Sequence, residues 1–341
     1  TTLQTKNALE DLKLQGATKI ILDLRGNPGG LLNQAIGVVN LFVEKGEVIT
    51  TTRSVIEKYN KVYKTTSEPL DTTIPLAVLI NGRSASASEI VSGALQDLDR
   101  AVVIGARSFG KGLVQRPKNL IYGTQLKVTI SRYYTPSGRC IQALDYWNRD
   151  ENGDPVRVDP KKYNPFKTKG GRTVYDGGGI LPDIELESAK FSPITTALLK
   201  ENTIFNYATQ YLYKNNMGRL EDFSFAEKDF QDFLKFLKNN DFDFKTQTEL
   251  SFTKAFKKAE EDGFTKQIQS DYKQLISSIT EAKKKEITNK KSEIIALLKN
   301  EILKQKFYSS GLYAYQVLNN PEIKEAVEVL ENTTKYNNLL K

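Results

Sequence analysis

The 341-residue sequence has no histidine, and it has one cysteine, one methionine and one tryptophan. Without histidine, neither a Ser-His-Asp triad nor the two-histidine helix motif of zinc peptidases can be assembled. A single thiol, Cys140, cannot close an internal disulfide or build a thiolate zinc cage, and it leaves the redox compartment open. Long apolar runs are missing too. Residues 20–24 and 74–80 are of strand length and fall far short of a membrane span. Any serine chemistry must therefore use a base other than imidazole.

No secretory signal is visible, and the chain opens Thr1-Thr2-Leu3-Gln4 without an initiator methionine. A processed chain or a fragment of a longer one is expected. Hydrophobic content of 39% and charged content of 26% match a soluble globular protein with ample sequence to bury a core. The net charge of +8 is spread, with basic residues interleaved among acids. That pattern favours a solvated surface over nucleic-acid binding. The one basic run that suggests otherwise, residues 283–291, reads best as the solvated face of a helix.

Apolar spacing predicts a helix over 1–15, closed by Gly16, then a buried strand over 20–24. Arg25-Gly26-Asn27-Pro28-Gly29-Gly30 follows as a turn dense in residues that tolerate unusual backbone angles, and a helix over 31–42 comes next. Strands are expected over 47–53, 74–80, 101–105, 110–115 and 125–134, with a helix over 85–98 and a hairpin or surface loop over 54–73. Residues 135–183 are rich in Pro, Gly, Asp and Asn and show little periodicity. The recurring strand–turn–helix order makes this half α/β. From about Phe191 the composition shifts to Lys, Glu and Phe, with stripes such as Phe230, Phe233, Leu234, Leu237; Leu275, Ile276, Ile279; and Ile294, Ile295, Leu298, Ile302. A helical region of about 150 residues is expected there. The boundary falls between parts 1–188 and 189–341.

Two stretches could carry chemistry. Ser84, Ser86 and Ser88 sit where a strand gives way to a helix, near free backbone N–H groups and the positive end of the helix dipole. Such donors can hold the oxyanion of an acyl-transfer intermediate. By themselves the serines read more simply as helix caps. Lys111 follows 25 residues after the middle serine, flanked by Gly110 and Gly112. A lysine in a glycine turn is ordinarily a surface residue. It can serve as a general base only as the neutral amine, which burial favours. Gln115, four residues further along a strand, would project from the same face and could hold the amine by its amide.

Three segments together resemble the carboxyl-terminal processing peptidases, or tail-specific proteases, of the S41 family of serine peptidases. These are Asp23–Gly30, Ser84-Ala85-Ser86-Ala87-Ser88-Glu89-Ile90, and Ser108-Phe109-Gly110-Lys111-Gly112-Leu113-Val114-Gln115. The match covers roughly residues 1–185 in unbroken order. Tyr133–Arg139 and Gly177–Asp183 resemble later blocks of the family, and Gly311-Leu312-Tyr313 with Pro321-Glu322-Ile323-Lys324 resembles the tail of longer bacterial members.

The resemblance implies an S41-type, ClpP/crotonase-like catalytic core followed by a mostly α-helical region. It also implies Ser86 as nucleophile, Lys111 as its general base, and Gln115 as the residue orienting the lysine. The backbone N–H of Ala87, with that of Gly29 or Gly30, would form the oxyanion hole. Asp97 matches an acidic position sometimes implicated in the family, although a capping or surface carboxylate is the simpler reading. Asp23 and Arg25 are expected to shape their loop. The implied function is a serine endopeptidase acting near protein C-termini through an acyl-enzyme, with no metal or other cofactor. The alternative is a catalytically silent S41-like scaffold that binds peptides. Family members carry a PDZ domain ahead of the glycine-turn strand, for which residues 1–15 leave no room. Implied partners are protein or peptide substrates with accessible C-termini. A regulatory or adaptor protein and a homo-oligomer are compatible, and nucleic acid is not called for. The implied location is the periplasm of a Gram-negative bacterium.

Overall fold

A computed structural model describes residues 1–187 and 191–341, and the chain divides into two compact units. The first comprises Thr1–Ser188 together with Asn319–Lys341; the second is Ala189–Leu318. In the first unit the chain runs α1 (Thr2–Leu14), β1 (Ile20–Asp23), α2 (Leu32–Asn40), β2 (Val48–Arg53), β3 (Lys61–Lys64), β4 (Leu76–Ile80), α3 (Ala87–Asp97) and β5 (Val102–Gly105). The long hairpin β6 (Leu113–Asn119) and β7 (Gln125–Tyr134) comes next. Two small hairpins follow, β8 (Leu144–Arg149) with β9 (Pro155–Arg157) and β10 (Pro165–Lys167) with β11 (Thr173–Tyr175), and then β12 (Ile184–Glu185).

Strands β1, β4, β5 and β12 form a parallel sheet in the order β1-β4-β5-β12. Its central strands are apolar on every residue because both faces are covered, as parallel sheets require. Leu76, Val78 and Ile80 of β4 pack with Val38, Val39, Val91 and Leu95 of α2 and α3. Ala77 and Leu79, alternating to the other face, meet Ile323, Ala326, Val329 and Leu330 of α10 (Pro321–Glu331). Each Leu, Ile or Val side chain so enclosed contributes about 1.5–3 kcal/mol. Strands β3, β2, β7 and β6 make a second, antiparallel sheet in that order.

The second unit contains α4 (Pro193–Lys200), α5 (Thr203–Lys214), α6 (Glu227–Asn239), α7 (Gln247–Glu261), α8 (Thr265–Asn289) and most of α9 (Lys291–Asn319). Phe230, Phe233 and Leu237 of α6 interlock with Ile294, Leu298 and Ile302 of α9, and the Phe233 ring meets Tyr207 edge-on at 5.0 Å. The α8 stripe is shallower: Ile276 and Ile279 are half-buried and Leu275 is exposed. Helices α10 and α11 (Thr333–Leu339) complete the chain.

The mixed α/β first part and helical later part agree with the fold expected from the sequence. Three features differ. Strand β6 begins at Leu113 and runs through Pro117 to Asn119, which an edge strand tolerates. Residues 135–183, expected to be irregular, hold the two small hairpins and a short helical turn at Pro160–Lys162. Residues 319–341 lie with the first unit, because the amphipathic α10 covers the sheet face that Ala77, Leu79, Val102 and Ile104 would otherwise expose. Tyr336 adds a polar tie, its hydroxyl accepting the Leu76 N–H at 3.0 Å.

Candidate active site

The segment after β4 is short of space, and that determines which serine is available. Ser84 is fully buried; its hydroxyl donates to the Leu24 carbonyl at 2.7 Å and accepts the Asn81 N–H at 3.0 Å. The Ser88 hydroxyl donates to the Asn27 carbonyl at 3.1 Å. Both therefore knit the serine segment to the glycine turn after β1. Ser86 occupies the N-cap position of α3, but its side chain makes no cap hydrogen bond. The cap reading thus fits its place in the chain and not its hydroxyl. Its backbone is unusual, with φ 56° and ψ −113°, a conformation that a non-glycine residue holds only when its surroundings impose it.

Ser86, Ala87, Lys111, Gln115 and Gly30 line one cavity of about 280 Å³, walled by Leu31, Leu32, Ile90, Leu113 and Val114 and bordered by Thr50, Thr52, Lys127 and Tyr133. Ser86 and Lys111 are both half-buried. A larger groove of about 1000 Å³, with Arg53, Cys140 and Trp147 on its walls, contains neither.

Gly29 belongs to the same corner without lining the cavity. Its φ is +92°, and a methyl group there would lie 2.5 Å from the Ala85 carbonyl oxygen and 2.7 Å from the Ala87 nitrogen. Its N–H donates to the Asn27 side chain at 2.9 Å. Gly30 faces the cavity and has open space around it. Of the two glycines, Gly30 lines the cavity and Gly29 does not. Ala87, the first residue of α3, has an N–H with no intrahelical partner.

Gly110 lets the lysine turn press against a neighbouring segment, because a Cβ there would lie 2.2 Å from that of Ala143. Gln115 lies across from Thr129 in the β6–β7 ladder, its Nε2 reaching Thr129 Oγ1 at 3.5 Å. The amide nitrogen is thus directed to Thr129.

Two residues that sequence reasoning left unassigned bind this corner together. Glu89 is fully buried, and its carboxylate accepts from Ser86 N–H at 2.8 Å and Lys111 N–H at 2.9 Å on one oxygen. The other oxygen accepts from the Ser108 hydroxyl at 2.5 Å and Gly110 N–H at 2.7 Å. Burial pushes the Glu89 carboxyl above its ordinary value, against the pull of these donors. Tyr133 donates its hydroxyl to the Lys111 carbonyl at 2.6 Å and lies 3.3 Å from that of Ser86. Burial first, and then the charge of Glu89, hold this phenol well above its usual range and keep it a donor. The signal for Glu89 was its place three residues after Ser86, the spacing of a capping box.

Asp97 is neither a surface carboxylate nor a lining residue of the cavity. It forms a wholly buried ion pair with Arg139 at 2.8 Å and accepts the Ser137 N–H at 3.0 Å. Asp23 and Arg25 pair at 2.6 Å, and Arg25 also engages Glu322 and Asn320 of the returning tail, so they brace the loop. Lys283, from the basic run, is buried against Glu249 and Asp243.

Residues 1–146 match the profile of peptidase family S41. Residues 194–330 match the family described as "Probable PDZ-protease, C-terminal helical domain". The S41 region is similar to the carboxy-terminal-processing protease of Bartonella bacilliformis, 51% identical over 134 residues, covering 39% of this chain and 30% of that protein. It is also similar to the carboxyl-terminal-processing protease of Picosynechococcus, 43% identical over 139 residues, covering 40% of this chain and 32% of that one. A solved structure of the photosystem II D1 C-terminal processing protease aligns with TM-score 0.41 at 28% identity, over 55% of this chain and 39% of that one. The chain thus spans 30–32% of the length of the two curated relatives named.

Proposed function

We propose that the protein is a serine endopeptidase that cleaves protein substrates near their C-termini, using Ser86 as nucleophile and Lys111 as general base. One observation carries this reading. Among the three clustered serines, Ser84 and Ser88 spend their hydroxyls on structure, while Ser86 faces a cavity shared with Lys111.

In the mechanism, the neutral amine of Lys111 accepts the Ser86 proton as Oγ attacks a substrate carbonyl. The N–H groups of Ala87 and Gly30 receive the oxyanion, a role supported by the engagement of Gly29 with Asn27. The ammonium returns its proton to the leaving amine, and water then releases the acyl group by the same route. Gln115, with Nε2 turned to Thr129, keeps Oε1 available to accept from the Lys111 amine. The apolar walls suit an uncharged side chain beside the cleaved bond. The names of the relatives support the substrate class.

The catalytic part is assigned to 1–188 and the helical part to 189–341, with the last helices serving the sheet of the first. The cell envelope, and within it the periplasm of a Gram-negative bacterium, is the location the family resemblance favours. Among the described residues no helix is long and apolar enough to cross a membrane.

The whole protein, incubated with a substrate bearing an unstructured C-terminal tail, should release products whose cuts cluster toward that tail by mass spectrometry. An intact substrate, or cleavage that survives Ser86→Ala, would reject the assignment.

A further inference from the structure

The geometry points to Glu89 as a positioning residue for the reaction, working with Tyr133 to set the Ser86 turn and the Lys111 turn in register. This inference rests on the serine-peptidase reading and adds a residue to it. The two reacting side chains stand on different segments, one at the start of α3 and one in the glycine turn before β6. Nothing in either local sequence fixes their separation. What couples them is a carboxylate and a phenol that each hold both backbones.

The N–H groups of Ser86 and Lys111 converge on one oxygen of Glu89, at 2.8 and 2.9 Å. The Tyr133 hydroxyl donates to the Lys111 carbonyl at 2.6 Å, with the Ser86 carbonyl 3.3 Å away as a second acceptor. The second Glu89 oxygen takes Gly110 N–H and the Ser108 hydroxyl, and that hydroxyl in turn accepts Ile180 N–H at 2.7 Å. Glu89 thus restrains three positions of the lysine turn, residues 108, 110 and 111. It also supports the positive φ of Ser86, a conformation that an unsupported residue would leave. Both side chains are buried, so water cannot replace either one.

Four donors and no acceptor face the carboxylate. A glutamine there keeps shape and volume but turns an NH₂ group toward two of those donors, whichever way its amide points. In one orientation Ser86 and Lys111 lose their shared acceptor; in the other Gly110 does. Either way the lysine turn shifts relative to the serine. The apolar walls of the cavity are untouched, so the loss should fall on turnover and spare substrate binding.

The test is Glu89→Gln in the whole protein, read by kcat, KM, the rate of fluorophosphonate labelling at Ser86, and thermal melting. A folded variant should show kcat and labelling rate down by about 10- to 100-fold, the scale expected of a misplaced catalytic pair. KM should stay within about twofold. A folded variant with kcat within about twofold of wild type, or with its whole loss in KM, would overturn the inference. Should Glu89→Gln fail to fold, Tyr133→Phe carries the test, since it deletes a single oxygen. It should lower kcat with KM unchanged, and an unaltered kcat would overturn the inference. A wild-type protein that is not labelled at Ser86 marks the failure of the peptidase reading itself, and the inference then falls with it.

Discussion

Ser86 and Lys111 send their backbone N–H groups to the same carboxylate oxygen of Glu89, so a movement of one turn is felt by the other. Both residues line a cavity that Ser84 and Ser88 do not. Ser86→Ala should therefore remove proteolysis with no loss of stability. Ser84→Ala should destabilise the fold by about 1–3 kcal/mol, because the half-buried Asn81 N–H loses its acceptor and the Leu24 carbonyl loses one of its two donors. Comparison of melting curves and cleavage rates for the two variants checks both halves. Residual cleavage in Ser86→Ala would move the nucleophile elsewhere.

The paired glycines should separate in the same way. Gly29→Ala places a methyl group 2.5 Å from the Ala85 carbonyl oxygen at a positive φ, and should cost about 1–3 kcal/mol or more and distort the oxyanion donors. Gly30→Ala meets open space and should fold like the wild type. Equal melting temperatures for the two variants would contradict this account.

Asp97 and Arg139 form an ion pair with both side chains wholly buried. Removing one partner leaves a charge without compensation, so Asp97→Ala should cost about 3–5 kcal/mol. Activity lost in this variant should track the unfolded fraction and return at lower temperature. A fully folded but inactive Asp97→Ala would instead assign the carboxylate to the chemistry.

The helical unit has its own pH dependence. Lys283 Nζ lies 2.9 Å from Asp243 and 3.1 Å from Glu249. Burial pushes the ammonium down, but the two carboxylates outweigh it and hold it above its ordinary value. The Lys283 hydrogen bond holds Asp243 low; burial raises Glu249, and the Thr246 N–H and Lys283 more than reverse that. A raised amine stabilises in full below its unfolded value of about 10.4, and that contribution is lost as pH rises through the folded value. The depressed carboxylates contribute above about pH 4 and lose that contribution as pH falls through their folded values. Thermal unfolding followed across pH should show losses at both ends, and Lys283→Met should remove the alkaline one. An unchanged alkaline limb in that variant would contradict the assignment.

The returning tail should matter to the first unit. Leu330 and Val329 are buried against Ala77, Leu79, Val102 and Ile104, so Leu330→Ala should cost about 2–5 kcal/mol. Denaturant unfolding measures it directly, and a neutral effect would mean that the sheet face is covered without α10.

What the sequence revealed was local. The apolar strands before each turn, the glycines of residues 25–30 and the small residues around Ser86 carry their conformations in their own side chains, and so were legible. Lys111 and Gln115 could be placed on one stretch, but not the bulge between Val114 and Gln115, nor the turn of the Gln115 amide to Thr129. Glu89 stands three residues after Ser86, the spacing of a capping box. Its tie to Lys111 is made in space, by a segment that strand β5 separates from it. Asp97 could not be told from a surface carboxylate because its partner, Arg139, comes from a stretch without periodicity. The return of residues 319–341 was hidden because α10 reads as one more amphipathic helix after the others, and only the uncovered sheet face distinguishes its destination.

The most direct test of a histidine-free serine peptidase is the rate at which a fluorophosphonate phosphonylates Ser86, with loss of fluoride, in the whole protein with Lys111 intact and replaced. Wild type should label at Ser86, and Lys111→Ala and Lys111→Arg should both slow by about 10²- to 10⁴-fold, since neither supplies a neutral amine. Labelling of Lys111→Arg at the wild-type rate, with the protein folded, would contradict the account.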